Sequence, residues 1–295
     1  MLKQYRIRDY DFKLIVLVAA LTVIGILAIG SAKESLQSRQ IAGAVFGAFL
    51  MLVISLFDYT VILKFYWILY LLNVVLLALV KFMGVEAGAA QRWLELFGIQ
   101  FQPSETAKIL LILFFAQFIM RHKDEMSSLR VIGMCILLFL PQIFLIYKQP
   151  DMSTSIMVTL LFCVILFVGG ISWKYIVLVL SIAIPAFVIA LTLILQPDQQ
   201  IIEDYQQKRI LAWIYPDEYA NTEAYQQNNS ITAIGSGQLY GKGYNTNEIS
   251  SVKNGNFISE PQTDFIFAVI GEEFGFVGGC TVIVLLIFIS FECIM

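Results

Sequence analysis

The chain has 295 residues, of which 59% are hydrophobic and 14% charged, against about 45–50% and about 25% in ordinary soluble domains. At a mean hydropathy of +0.78, one or two soluble cores could not bury so much Leu, Ile, Val and Phe, and the chain reads as an all-α polytopic membrane protein. Nineteen Lys and Arg against 22 Asp and Glu leave a net charge of −3, with no basic footprint for nucleic acid. Cys135, Cys163, Cys280 and Cys293 all lie in apolar runs, without metal spacing or a disulfide framework, and act there as small hydrophobes. His122 is the only histidine, which argues against His-based metal sites and Ser-His-Asp or Cys-His catalysis.

Eight stretches are long enough to cross about 30 Å of hydrocarbon at about 1.5 Å per residue. They are Leu14–Ala32, Ile41–Phe57, Phe65–Met83, Glu105–Met120, Val131–Tyr147, Ser153–Gly170, Tyr175–Leu195 and Phe265–Phe291. The first has the basic start and small-residue end (Ala28-Ile-Gly-Ser-Ala32) of a signal peptide. Its length and the seven spans after it favour an uncleaved helix. With the N-terminus in the cytoplasm, the short inner segments carry Lys3, Arg6, Arg8, Lys13, Lys64, Arg121, Lys123, Arg130 and Lys174. The short outer ones carry only Lys33, Arg39, Lys81, Arg92 and Lys148. That bias predicts a multi-pass protein of the bacterial cytoplasmic membrane, N-terminus cytoplasmic, with segment 196–263 outside. This 68-residue segment, between spans seven and eight, is the one sizeable polar region; a loop of that length is usually functional or disordered. Trp213 and the tyrosines from Tyr205 to Tyr244 suit packing at the membrane interface. No internal repeat is visible, and the chain is read as a single membrane domain over 1–295.

Charges at or inside spans are the informative positions, because each costs about 2.5–3.5 kcal/mol at a helix centre. Glu105 and Lys108 open span four after Gln102-Pro103-Ser104, and their i, i+3 spacing lets them pair on one helical face. Asp151 lies just before span six, Asp264 where the long loop enters span eight, and Arg92 in the loop Gly88-Ala-Ala-Gln-Arg-Trp-Leu94. In the predicted topology all of these fall at the outer boundary, which marks an active surface. Each also has a structural reading: an ion pair for Glu105 and Lys108, helix caps for Asp151 and Asp264, a headgroup anchor for Arg92. Glu272 and Glu273 lie deeper in span eight, where a buried pairing competes with a functional role. The string Gly235-Ser-Gly-Gln-Leu-Tyr-Gly-Lys-Gly243 fits neither the Walker nor the dinucleotide template, so no nucleotide is expected. A tight turn is the favoured reading, with backbone N–H groups approaching a lipid pyrophosphate as the alternative.

Five strings carry a resemblance: Gly88-Ala-Ala-Gln-Arg-Trp-Leu94, Gln102-Pro-Ser-Glu-Thr-Ala-Lys108, Gln149-Pro-Asp-Met-Ser-Thr154, Ser230-Ile-Thr-Ala-Ile-Gly-Ser-Gly237 and Glu260-Pro-Gln-Thr-Asp-Phe-Ile-Phe-Ala-Val-Ile-Gly-Glu-Glu-Phe-Gly275. In order and over nearly the whole chain they resemble the SEDS family (RodA, FtsW, SpoVE), and the Arg-Trp and Ala-Ile-Gly-Ser-Gly strings lean towards RodA-like members. The resemblance implies a peptidoglycan glycosyltransferase that polymerises lipid II outside the cytoplasmic membrane, in cell elongation, division or sporulation, with a class B penicillin-binding protein as partner. It places the family's essential aspartate on Asp264, its Glu and Lys pair on Glu105 and Lys108, its Gln-Pro-Asp on Asp151 and a weaker arginine on Arg209. It also implies help from a divalent cation, Mg²⁺ or Mn²⁺. The family usually has ten spans, so a chain with eight is expected to be truncated at its C-terminal end.

The implied reaction is an inverting transfer between two lipid-linked sugars. Asp264 is the candidate general base or metal ligand, and Arg92, Lys108 and Arg209 are candidates for the phosphates, with Glu105 orienting Lys108. A lipid II flippase is the competing function and would use charges along a path through the membrane, where Glu272 and Glu273 are the deep candidates. A scaffold for a penicillin-binding protein, without catalysis, is the third.

Overall fold

The computed structural model describes residues 10–87, 90–96, 99–149, 151–196, 199, 202–246, 251, 255 and 257–295. The helices are α1 (Phe12–Ala32), α2 (Glu34–Ser55), α3 (Tyr59–Lys64), α4 (Tyr66–Met83), α5 (Pro103–Arg121), α6 (Leu129–Tyr147), α7 (Met152–Val168), α8 (Trp173–Ile194), α9 (Asp204–Ile214), α10 (Tyr225–Ser236) and α11 (Ile266–Ile294). Seven of these are at least 18 residues long and apolar enough to span a bilayer: α1, α2, α4, α5, α6, α8 and α11. The apolar α7, at 17 residues, sits at the short end of the spanning range of about 17–25. Together they match the eight spans expected from sequence. The chain divides into two compact units, residues 58–188 and residues 1–57 with 189–295.

In the unit 58–188, α5 starts where Pro103 supplies a pre-set φ and needs no donor. Glu105 in its first turn and Arg121 in its last complement the helix dipole. Its buried face (Leu111, Phe114, Phe115, Phe118) packs with Leu77 of α4, Cys135 and Phe139 of α6, and Phe162 of α7. The rings of Phe139 and Phe162 stack nearly parallel, at 4.1 Å between centroids. Between α4 and α5 lies a three-stranded antiparallel sheet, β1 (Val85–Ala87), β2 (Ala90–Leu96) and β3 (Ile99–Phe101), in the order β1-β2-β3. Ala87 pairs with Ala90 and Leu96 with Ile99 across the two strand pairs. The sheet is an addition to the helical plan: its strands are too short to stand out as a hydropathy pattern.

The helix starts depart from the sequence boundaries in one informative place. Helix α2 begins at Glu34, not Ile41, so Arg39 lies inside it and Lys33 alone joins α1 to α2. Glu34 in the first turn suits a helix N-terminus, and the polar residues after it are adequate helix formers. Hydropathy loses the segment although the helix continues through it.

In the other unit α1 packs against α2 and α11, and α10 against α11. Helix α11 is broken at Gly275, whose φ of 66° and ψ of −161° are not helical. A regular helix would pair the Phe276 N–H with the Glu272 carbonyl and the Val277 N–H with the Glu273 carbonyl. Here the loop after α10 takes both pairs apart and satisfies all four groups. The Lys242 and Gly243 N–H groups donate to the carbonyls of Glu272 and Glu273 at 2.9 and 3.1 Å. The Phe276 and Val277 N–H groups donate to the carbonyls of Gln238 and Leu239 at 2.8 and 3.1 Å. Such backbone-to-backbone contact leaves no room for side chains. A Cβ on Gly275 would stand 2.7 Å from the Leu239 carbonyl, and one on Gly241 would stand 2.6 Å from the Phe274 nitrogen. Gly241 also has a φ of 82°. The turn expected at 235–243 is therefore a clasp on span eight, and its Lys242 and Gly243 N–H groups are spent there rather than turned to a phosphate.

Gly275→Ala and Gly241→Ala are each expected to lower the thermal midpoint of the purified protein. A left-handed residue with a Cβ costs roughly 1–2 kcal/mol, before any overlap is relieved. Gly43→Ala is the control: it lies in α2 with no neighbouring atom within 4 Å of an added Cβ, and the exchange should leave the midpoint unchanged or raise it.

Candidate functional site

Asp264 ends a turn that Glu260 opens with φ 53°. The Thr263 N–H donates to the Glu260 carbonyl at 3.2 Å and closes it. Behind the turn, Ala233 of α10, Ile258, Ala268 and Val269 form one small core, against which Phe265 and Ile266 pack. Helix α10 ties down the approaching segment as well: Asn229 Nδ2 donates to the Phe257 carbonyl at 3.0 Å and Gln226 Nε2 to Ser259 Oγ at 2.5 Å. Asp264 itself is exposed. It is not the cap of α11, since that position is Phe265. Among the described residues no group hydrogen-bonds or pairs with its carboxylate. A carboxylate fixed in place by its neighbours yet left uncommitted is suited to take a proton or a metal ion.

The deeper carboxylates of the same unit are committed. Glu272 is buried and its Oε1 lies 2.7 Å from Lys242 Nζ, itself mostly buried. Glu273, also buried, accepts a hydrogen bond from Ser31 Oγ of α1. These contacts join the clasp and α1 to α11 through side chains as well as backbone. Lys242 was missed as a partner in the sequence; its place between two glycines, with acids at membrane depth, was the available signal. Arg209 lies exposed on α9, and no described residue joins it to Asp264.

In the unit 58–188, Lys108 Nζ and Glu105 Oε2 pair at 2.7 Å in the first turn of α5, Glu105 being the more exposed. Asp151 is buried and caps α7. Its Oδ1 accepts from the Thr154 N–H at 3.1 Å and from Ser153 Oγ at 3.2 Å, and its Oδ2 from Thr154 Oγ1 at 2.8 Å. Gln102, the residue before α5, donates through Nε2 to the same Oδ2 at 3.3 Å. The starts of α5 and α7 are thus tied together, and Glu105, Lys108 and Asp151 belong to one end of this bundle. Asp151 is thus a helix cap, with both carboxylate oxygens occupied. Arg92 lies on β2, and its side chain is outside the described residues.

Among the described residues, no three His, Cys, Asp or Glu side chains gather into a metal cage. Mg²⁺ does not need one: it is commonly held by one or two carboxylates, with waters and substrate phosphates completing its shell. The exposed Asp264 fits that mode.

The two acids of this bundle should respond differently to substitution. Asp151→Ala removes a cap worth about 1 kcal/mol and strands buried donors at about 1–3 kcal/mol, so the thermal midpoint should fall clearly. Glu105→Gln breaks an exposed pair and should change stability by less than about 1 kcal/mol, so its midpoint should stay near that of the wild type.

Comparison with known proteins gives a consistent result. A family model described as cell cycle protein, of FtsW, RodA and SpoVE, matches residues 9–295. The peptidoglycan glycosyltransferase MrdB of Escherichia coli (strain K12) is 35% identical over 271 residues, covering 91% of this chain and 70% of MrdB. A probable peptidoglycan glycosyltransferase FtsW of Haemophilus ducreyi is 32% identical over 229 residues, 77% of this chain and 54% of that protein. A chain from a peptidoglycan synthase complex that coordinates polymerization and crosslinking superposes with a TM-score of 0.72 at 25% identity, over 95% of this chain and 76% of that one. The rod shape determining protein RodA of Thermus thermophilus superposes with a TM-score of 0.63 at 26% identity, over 95% of this chain and 73% of RodA. With its motifs in order along a helical membrane fold, the chain belongs to the FtsW, RodA and SpoVE family of cell cycle proteins.

Proposed function

We propose that this chain is a peptidoglycan glycosyltransferase that joins lipid II units into glycan strands at the outer face of the bacterial cytoplasmic membrane. The observation that carries the reading is Asp264: an exposed carboxylate, uncommitted among the described residues and held at the entrance to α11 by a packed turn, in a chain of this family. The glycosyltransferase names of MrdB and FtsW support the activity. The match to RodA and the higher identity to MrdB than to the Haemophilus FtsW favour a role in elongation and shape.

In this reading Asp264 takes the proton of an acceptor sugar hydroxyl. The resulting oxygen attacks the anomeric carbon of the donor from the face opposite the leaving group. The anomeric C–O bond breaks with inversion, and the electron pair leaves on the polyprenyl pyrophosphate. Cations stabilise that leaving charge, and Lys108, Arg92 and Arg209 are the proposed donors, with Glu105 holding Lys108 at 2.7 Å. In the alternative role Asp264, instead of taking the proton, would hold a divalent cation, which would supply Lewis-acid stabilisation of the pyrophosphate when bound. Asp151 fixes the start of α7. The basic bias of the short segments supports a cytoplasmic N-terminus, and the match to a synthase complex that also crosslinks supports a class B penicillin-binding protein as partner. Glu272 and Glu273, the groups a flippase would need along its path, are engaged by Lys242 and Ser31.

The test is polymerisation of purified lipid II by reconstituted protein with Mg²⁺ or Mn²⁺, with and without a penicillin-binding protein. Wild type should make long glycan strands. Asp264→Asn should lose activity by about 10²- to 10⁴-fold, the usual yield of a general base, at an unchanged thermal midpoint. Absence of polymer from folded wild type, even with the partner, would overturn the proposal.

A further inference from the structure

Helix α5 carries a second feature at the end opposite Glu105 and Lys108, roughly 20–24 Å away at about 1.5 Å per residue. There Tyr66 and Trp67 of α4, Phe118 of α5, His122 just after it, and Leu137 and Leu138 of α6 line a cavity of about 470 Å³. Its walls are aromatic and aliphatic, and Leu137 and Trp67 leave it open on the outside of the bundle, at 66% and 48% exposure. Arg121, the last residue of α5, stands at its rim. The guanidinium lies 4.7 Å above the centre of the Tyr66 ring, and Nη1 donates to the Tyr66 hydroxyl at 3.4 Å. No described carboxylate pairs with it. His122 is turned inward beside it, its Nδ1 2.8 Å from the Phe118 carbonyl.

We infer that this groove binds an anionic phospholipid, with the phosphate on Arg121 and an acyl chain along the aromatic wall. Three observations select that occupant. The cavity lies at a membrane boundary, because it sits at the end of a spanning helix. Its walls are apolar, which a free anion would not require. The cation held against its Tyr66 wall is a guanidinium, a planar donor set that matches a phosphate, fixed by an aromatic face and paired with no carboxylate among the described residues. A zwitterionic choline lipid offers the same phosphate but carries an ammonium beside it that repels Arg121, and so gains less. Basic residues at an anionic lipid surface are each worth about a fivefold gain in binding. This inference is independent of the catalytic proposal, since Arg121 and the groove take no part in it.

Trp67, in the groove wall, is the reporter. Protein is reconstituted in phosphatidylcholine bilayers with rising fractions of brominated phosphatidylglycerol or brominated phosphatidylcholine. Trp67→Phe is run in parallel, so that the emission of Trp93, Trp173 and Trp213 can be subtracted. Quenching of Trp67 should need about fivefold less of the glycerol lipid than of the choline lipid, and Arg121→Gln should bring the two curves together. Coincident curves in wild type would overturn the inference, and would do so even if the glutamine variant failed to fold. A glycerol preference that survives in folded Arg121→Gln would also overturn it. So would its erasure by inorganic phosphate, which would put a free phosphate rather than a lipid on Arg121.

Discussion

The constraint on which this molecule depends is that no backbone polar group can stay unpaired in hydrocarbon, where each such group costs several kcal/mol. Helix α11 breaks at Gly275 and so frees two carbonyls and two N–H groups within a span. The loop 238–243 answers them one for one. The exchange is possible because Gly241 and Gly275 let two backbones approach to a distance at which any Cβ would collide. The Lys242–Glu272 pair then adds a side-chain contact to the same junction. A charged pair out of water contributes little net stability but is costly to break on one side; here it fixes the register of the loop against the helix.

Position follows from that junction. The loop cannot slide along α11 without breaking four backbone hydrogen bonds, so α10, which leads into it, is set against the first turns of α11. The core of Ala233, Ile258, Ala268 and Val269 then fixes the turn that ends in Asp264. The proposed base is exposed, and its freedom from described partners follows from this arrangement: backbone and apolar contacts do the positioning, and the carboxylate is left for chemistry. In the unit 58–188 the order is reversed. There Asp151 spends its carboxylate on position, holding the starts of α5 and α7 together through Thr154 and Gln102, and Glu105 and Lys108 remain at the surface of that end.

Much of this was legible in the sequence. Apolar runs of 16 residues or more set the spans, and the i, i+3 spacing of Glu105 and Lys108 matched their ion pair. The role of Asp151 was readable only as a choice between cap and site, because an aspartate before Ser and Thr at a helix start serves either use equally well. What could not be read was non-local. Nothing in Gly235-Ser-Gly-Gln-Leu-Tyr-Gly-Lys-Gly243 announces that its partner is a span some 30 residues later, since glycines needed for a tight turn and glycines needed for close approach look alike. Strands of three to seven residues are likewise too short to declare themselves between two apolar helices. Arg39 was lost to the loop by hydropathy because a helix can begin before its apolar run does.

The central claim is that this chain makes a bond at one membrane face rather than carrying lipid across. It is tested most directly in proteoliposomes holding fluorescent lipid II, read at once for glycan polymer and for leaflet exchange with an impermeant quencher. A polymerase with Glu272 and Glu273 committed to structure predicts polymer from the lipid in one leaflet, with the other leaflet's lipid left where it began. Leaflet exchange without polymer would contradict it.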